Sequence, residues 1–432
     1  MNRIEICKNI IRSIKEYITT PQLMEVHRDP NHFIRNRILS MLHVVTYLLY
    51  SSKSSMLQNL AGIRDDLSIL DFPNVTKQAV SKARQFIHPS LFKELFYLSV
   101  DHFYSSIPER KTWHGYHLFA VDGSRIELPN SKSNFEYFGK MFTIADSEGH
   151  QKYYTQGLAS IIYDVLEDYV VHASLNPYLA SERASALEHL KNLEDLNLYD
   201  NSVIIFDRGY FSENMFAYCT EHNHYCVMRL KEKLNLSRKA LKNGDLITTL
   251  SIGDKKNPLE IRVRVLCVLL PDGSFEFLAT NIFDETITAE MFRELYFYRW
   301  PVELKYKELK SRLQMEEFNG ATTTAVFQEF YINLLLSNLS SLVKNQADSE
   351  ISTQNNASDN KYRYQANRSF ILGRIKKTFV RIIIGELSID SIDEIYLAAL
   401  KAKSQIQPGR SCKRSKNVRH RRTHFRNMKT SF

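Results

Sequence analysis

Four side chains near position 300 have types and spacing that could do chemistry together. They are Tyr296, Arg299, Glu303 and Lys310, in the run Tyr296-Phe-Tyr-Arg299-Trp300-Pro301-Val-Glu303-Leu-Lys-Tyr-Lys-Glu308-Leu-Lys310. On a helix, the offsets i, i+3, i+7 and i+14 fall along one stripe. Such a stripe is ordinarily apolar and faces a core. This one carries a phenol, a guanidinium, a carboxylate and an ammonium. One acid flanked by two cations suits a metal-binding carboxylate beside a phosphate backbone. A surface helix laced with ion pairs would give the same pattern. Pro301 has no backbone N–H, so a helix starts or kinks there, and Tyr296 and Arg299 are expected on a preceding turn or helix.

Two more acids stand at the ends of predicted strands. The apolar run 116–121 ends at Asp122-Gly123-Ser124, and the apolar run 203–206 ends at Asp207-Arg208-Gly209-Tyr210. Each has a plainer explanation, since Asp-Gly is a common hairpin turn and Asp207 could cap a following helix. Ligands in α/β sheets nevertheless gather at strand ends. Two acids there, joined by a third from a helix, would make an all-oxygen site of the kind that selects Mg²⁺ or Mn²⁺.

The elements that must position these acids follow from periodicity. Residues 1–107 read as helical, with apolar spacing through 4–14, 33–50, 56–63 and 91–103. Between the last two, Thr76 is a plausible N-cap for a short helix. In it Val75, Ala79, Val80 and Ala83 would pack inward, leaving Lys77, Gln78, Ser81, Lys82 and Arg84 exposed. Polar, base-capable side chains between small apolar ones suit a helix in a DNA major groove, although a bundle helix would look similar. Residues 108–115 form a polar linker. Strands are expected at 116–121, 157–163, 168–173, 203–206 and 225–230, with helices at 181–193 and 212–222. That order describes a mixed α/β sheet covered by helices. A β-rich insertion at about 231–285 precedes Glu303. Its hairpin runs from Glu260 through the turn Pro271-Asp272-Gly273 to residues 275–280, with another strand at 245–252. Residues 323–344 form a strongly apolar helix, 348–360 a Ser/Asn-rich loop, and 370–384 and 389–403 further helices. The expected domains are therefore a helical DNA-binding domain (1–107), a catalytic domain (116–320), C-terminal helices (321–403) and a basic, disordered tail (404–432).

Composition narrows the class. The 432 residues are 44% hydrophobic and 12% aromatic, which is globular. The five cysteines are scattered and contain no CxxC pair, so neither a zinc site nor a disulfide framework is indicated. No signal peptide or membrane span is evident, which reads as a cytoplasmic protein without a membrane partner. The net charge of +9 resides in the tail: residues 401–432 hold eleven Lys/Arg and no acid, leaving −2 for the remainder. Arg419, Arg421 and Arg422 mark this block as an arm for a polyanion.

Taken together, the motifs resemble those of the DDE transposases of bacterial insertion sequences. More narrowly, they resemble the insertion-sequence-four group, whose mark is Tyr-x2-Arg-x3-Glu-x6-Lys. Tyr296, Arg299, Glu303 and Lys310 match it without a gap, and the Asp122 and Asp207 blocks resemble the family's first and second aspartate blocks. The resemblance spans roughly residues 116–320. It implies a ribonuclease-H-like fold with Asp122, Asp207 and Glu303 as catalytic and metal-binding triad. It implies two Mg²⁺ or Mn²⁺ ions per active site, about 3.5–4 Å apart, clamping an in-line phosphodiester displacement. Arg299, Lys310 and Tyr296 would hold DNA phosphates, with Arg208 as a further DNA contact. The partners implied are double-stranded DNA, both terminal inverted repeats and target DNA, and a second copy of the chain in a synaptic homodimer. The activity implied is cut-and-paste transposition. The alternatives are a ribonuclease-H-like nuclease or resolvase without strand transfer, and a non-catalytic DNA-binding protein. A hairpin step would need a stacking aromatic, for which Trp300, Phe275 and Phe277 are candidates. Glu127, Glu182, Glu308, Glu316 and Glu317 are rival acids. Glu308 shares a helix with Glu303 but falls off the stripe, so Glu303 is preferred. His114, His117, His150 and the tail histidines show no ligand spacing and read as structural or solvated.

Overall fold

The computed structural model describes residues 2–35, 38–142, 149, 153–253, 258–270, 273–356 and 361–406. In chain order the helices of the N-terminal part are α1 (Arg3–Thr19), α2 (Pro21–Glu25), α3 (Met41–Tyr50), α4 (Met56–Asp66), α5 (Lys77–Ala83) and α6 (Ser90–Ser106). Then come β1 (His117–Leu128), α7 (Lys132–Phe138), β2 (Met141–Phe142), β3 (Tyr153–Asp164), β4 (Tyr169–Pro177), α8 (Glu182–Asp195), β5 (Ser202–Phe206), α9 (Glu213–Glu221), β6 (Tyr225–Arg229) and α10 (Asn235–Asn243). Next are β7 (Asp245–Ile252), β8 (Leu259–Leu269), β9 (Phe275–Thr280), α11 (Ala289–Phe297) and α12 (Trp300–Ser311). The chain continues with α13 (Thr323–Asn356), β10 (Tyr364–Ala366), α14 (Arg368–Ile383), α15 (Ser391–Lys401) and β11 (Lys403–Gln405).

These elements form two compact units. One holds residues 109–125 and 158–308; the other holds 1–108, 126–157 and 309–432.

The first unit is built on a mixed sheet. Its hydrogen-bonded order is β4-β3-β1-β5-β6-β9-β8-β7. β1, β5 and β6 run parallel, whereas β6–β9, β9–β8 and β8–β7 are antiparallel. The order β4-β3-β1-β5-β6 is that of the ribonuclease-H-like fold. All five residues of β5 are buried, so its Val203-Ile-Ile-Phe206 core reads as a continuous apolar run rather than an alternating one. Ser181 caps α8 by accepting from the Ala184 N–H, and Ser212 caps α9 in the same way from Met215. Asp207 is therefore not the cap of α9. The β-rich insertion expected at about 231–285 extends this sheet, because β9 pairs with β6 through Val227–Thr280, Met228–Ala279 and Arg229–Leu278.

The second unit is helical. α13 is buried on nearly every face from Ala325 to Val343, so it needs partners all round. α1, α6, α14 and α15 supply them. The N-terminal helices (within 1–107) and the C-terminal helices (within 321–403) thus pack into one compact unit. α13 also runs to Asn356, through part of the stretch expected as a loop. The helix expected over 33–50 begins only at Met41: Ser40 caps it in a capping box with His43, and Phe33 sits at a positive φ of 59°. Inside this unit Glu329 of α13 accepts from Arg84, Lys53 and the backbone N–H groups of Asn319 and Gly320. Gly320 has no room for a side chain: a Cβ there would lie 2.4 Å from the Ala325 Cβ and 2.7 Å from Arg84 Nη1.

Candidate active site

The first unit brings together the two aspartates expected at strand ends. β1 and β5 are parallel neighbours, with Val121 opposite Phe206. The next residues are Asp122, within β1, and Asp207, just past the end of β5, so they lie side by side where neighbouring strands are about 4.8 Å apart. β1 does not turn at Asp122-Gly123 but continues to Leu128, so the hairpin explanation fails.

Glu303 arrives from α12. The chain breaks at Pro301 as its chemistry demands: α11 ends at Phe297 and α12 begins at Trp300. Tyr296 therefore lies on α11, Arg299 in the link, and Glu303 in the first turn of α12. Arg299 is nearly buried at 4% exposure, and its Nη2 donates to Glu303 Oε1 at 2.6 Å. Its guanidinium lies 5.2 Å from the Trp300 ring centroid and 5.9 Å from that of Tyr296. Tyr296 in turn donates to Asp207 Oδ1 at 3.3 Å. A chain of polar contacts thus links Glu303 to Asp207 through Arg299 and Tyr296.

Tyr306, one helical turn beyond Glu303, ties this helix to the sheet. Its hydroxyl lies 3.0 Å from the Asp122 carbonyl and 2.8 Å from the Ala159 carbonyl. The Asp122 carboxyl is half-buried, and burial pushes its pKa up to about 7. The Gly123 N–H and Arg299 offset part of that rise, whereas the charges of Glu303 and Asp207 add to it. Asp122 therefore senses both other acids. Buried Tyr210, the last residue of the Asp207-Arg-Gly-Tyr block, has a hydroxyl without a hydrogen-bond partner among the described residues, and it feels the charges of Asp122, Glu182 and Asp207.

The remaining expectations fall out differently. Lys310 belongs to the helical unit, where its ammonium lies 3.3 Å from Glu316. Arg208 is exposed. Lys77, Gln78 and Lys82 are exposed on α5, whose N-cap is Thr76 as expected. Arg84 is a correction: it is only 1% exposed and is held inside the helical unit by Glu329, Gln328 and Ala325. A guanidinium so enclosed cannot reach DNA. On the same helix Ala79 is exposed and only Val80 is buried. Arg419, Arg421 and Arg422 lie outside the described residues. Of the rival acids, Glu308 pairs with buried Lys305 at 3.3 Å, and Glu316 accepts from the Glu127 N–H as well as facing Lys310. Phe277 is buried, whereas Trp300 and Phe275 are exposed.

Several residues around the site carried no sequence signal. Glu276 on β9 pairs with Arg229 on β6 at 2.9 Å, and its pKa is raised by burial, against the pull of Arg229 and Arg299. Ser160 on β3 reaches the Asp122 carbonyl at 3.5 Å and buried His189 at 2.8 Å. Tyr306 is an aromatic at a helical position, a pattern that usually means core. Glu182 was named only as a rival; its side chain lies where a Cβ on Gly123 would meet it at 3.4 Å.

The donor set of Asp122, Asp207 and Glu303 is all oxygen, and the high Asp122 pKa marks a spot where a cation would be favoured. Among the described residues, no three such groups stand close enough in this side-chain arrangement to hold an ion. Glu303 is drawn to Arg299 and Asp207 to Tyr296. The residue types, all carboxylate oxygen, fit a divalent cation.

Asp122 and Asp207 on two neighbouring parallel strands, with Glu303 on a helix, are the residue types a metal-dependent phosphoryl-transfer enzyme on a ribonuclease-H-like sheet would use. Residues 113–339 match the transposase DDE domain family over just more than half the chain, and the chain belongs to that family. It is a DDE transposase, an enzyme that cleaves DNA and transfers strands. Among its relatives is the transposase InsG of insertion sequence element IS4 from Escherichia coli (strain K12), 23% identical over 356 residues, or 78% of each chain. The protein named for element IS4SA of Synechocystis sp. (strain ATCC 27184 / PCC 6803 / Kazusa) is 29% identical over 139 residues, covering 31% of this chain and 38% of that one. A cryo-EM structure of a piggyBac transposase synaptic complex with hairpin DNA superposes with a TM-score of 0.45 at 9% identity, covering 91% of this chain and 85% of that chain. Family members generally use divalent metal ions. Among the described residues no helix is long and apolar enough to cross a membrane.

Proposed function

We propose that Asp122, Asp207 and Glu303 are the catalytic carboxylates of a cut-and-paste transposase. It would cut at the terminal inverted repeats of an insertion sequence and join the freed 3′-hydroxyl to target DNA. The observation that carries this reading is the charge coupling at Asp122. The Asp122 carboxyl on β1 is pushed up to about 7 by burial, and two other acids, distant in sequence, add to the rise. Bound by these three residues, Mg²⁺ or Mn²⁺, two ions per site, would lower the pKa of the attacking water or hydroxyl and neutralise charge at the displaced oxygen.

The chain's own residues do the rest. Arg299 holds Glu303 in place and keeps an Nε–H with no partner among the described residues, so it can turn toward a phosphate oxygen without abandoning a hydrogen bond at that atom. Tyr296 orients Asp207. Tyr306 fixes the helix carrying Glu303 against the strand carrying Asp122. Arg208 and Lys310 would bind phosphates flanking the cut, and Lys77, Gln78 and Lys82 would contact the DNA end. The basic tail, with Arg419, Arg421 and Arg422, would add sequence-independent affinity. Two copies of the chain would pair two ends.

Glu303→Gln tests the assignment. The variant should bind end DNA as the wild type does, yet yield no metal-dependent nicks and no joining of pre-cut ends. Cleavage at the wild-type rate would remove Glu303 from the site.

A further inference from the structure

The helical unit holds a second site that the catalytic reading does not use. A cavity of about 570 Å³ is walled by Lys53, Arg312, Lys376 and Lys377, and no carboxylate lines it. Gathering four cations around one space repels unless an anion occupies it. Glu329, beside Lys53, is already committed to Lys53, Arg84 and two backbone N–H groups, and Lys377 also lines a neighbouring pocket with Asp65, Asp66 and Glu386. Among the described residues Arg312, Lys376 and Lys377 form no ion pair: Arg312 donates to the Ser369 hydroxyl, and Lys376 to the Ser51 carbonyl. Burial, and then the neighbouring charge of Lys53, push Lys376 down to about 7, with Glu329 opposing the fall.

A second observation points to a ligand. Asn333 of α13 is 5% exposed, lines the same cavity, and its amide Nδ2 has no hydrogen-bond partner among the described residues. A buried amide donor left unpaired costs about 1–3 kcal/mol, so it wants an acceptor. The cavity thus offers two or three ammoniums, a guanidinium and an amide, all donors. A tetrahedral oxyanion with several acceptor oxygens complements that set.

We propose that this cavity binds a phosphate group, supplied by the backbone of a DNA strand crossing the helical unit. Arg312 and Lys377 are exposed, so the site is open to a polymer that continues past it. The contact would anchor DNA away from the cutting chemistry and is independent of the assignment of Asp122, Asp207 and Glu303.

The test is lysine acylation of the full chain, read at Lys376 and Lys377 by mass spectrometry. The arms are a 20-base-pair duplex, millimolar inorganic phosphate, and chloride at matched ionic strength. The duplex should protect both lysines severalfold relative to chloride, and equally in the Glu303→Gln protein. Protection by inorganic phosphate alone would keep the phosphate site and overturn DNA as its source. Protection by neither would overturn the site. Both arms are paired with the variant Arg312→Gln/Lys377→Gln, which alters exposed side chains only. Its log Kd for duplex against log salt should have a slope smaller by about 1 to 2, one released counterion per lost phosphate contact. An unchanged slope would also overturn the DNA assignment.

Discussion

Removing the Tyr306 hydroxyl separates positioning from chemistry. Tyr306 is 5% exposed, and its one hydroxyl proton is shared between the Asp122 carbonyl at 3.0 Å and the Ala159 carbonyl at 2.8 Å. Tyr306→Phe keeps the ring and its packing. A neutral hydrogen bond is worth about 1 kcal/mol net, and a carbonyl stranded in the interior costs about 1–3 kcal/mol. The Asp122 carbonyl retains Ser160 Oγ at 3.5 Å, so the lower part of that range applies. The loss should be about 1–2 kcal/mol. If the bond serves mainly to register the Glu303 helix against Asp122, that free energy is lost from the transition state. The cleavage rate should then fall about 5- to 30-fold, since about 1.4 kcal/mol is tenfold. The assay is single-turnover cleavage of labelled end DNA, alongside Kd for that DNA and urea unfolding of the same preparation. Kd should not move. A cleavage rate within twofold of wild type, in a protein destabilised by the stated amount, would refute the positioning argument and leave Tyr306 a packing residue.

Two further outcomes concern the helical unit. Glu329→Gln strips the counter-charge from buried Arg84 and should cost about 3–5 kcal/mol in urea unfolding, the range for breaking one partner of an enclosed ion pair. Burial alone would raise the Glu329 pKa, but Lys53, Arg84 and the Asn319 N–H outweigh it and the folded value lies below 4.5. Because the folded value is depressed, the stability it contributes is present above pH 4.5 and is lost as pH falls through the folded value; Glu329→Gln should therefore flatten the urea midpoint's acid-side decline. Gly320→Ala should destabilise by about 1–3 kcal/mol, because neither the Ala325 methyl nor the paired Arg84 can give way; a midpoint equal to wild type would show that the turn shifts freely.

Much of the site was legible because its chemistry needs specific types at specific distances. The Tyr296–Arg299–Glu303 spacing and the Pro301 break both took the form their residues demand, with a turn between α11 and α12. The two aspartates were legible because each follows a fully buried apolar run, 118–121 in β1 and 203–206 in β5, although β1 itself continues past Asp122 to Leu128. Arg84 was misread because a lone arginine on a short helix normally reaches solvent; its carboxylate partner lies 245 residues away on α13, a separation no local pattern reports. The Glu276–Arg229 pair was invisible for the same reason, since it depends on β9 docking beside β6.

Local covalent chemistry determined the helix caps at Thr76, Ser181 and Ser212, the interruption at Pro301, and the identity of three acids suited to hard cations. Those are properties of one residue and its near neighbours. Only tertiary structure decided that β1 and β5 lie side by side, that Tyr306 spans to Asp122, and that helices from both ends of the chain bury α13. Each of these depends on pairing segments far apart along the chain. The free energy that selects such pairings belongs to the contact itself, and neither partner carries a mark of it alone.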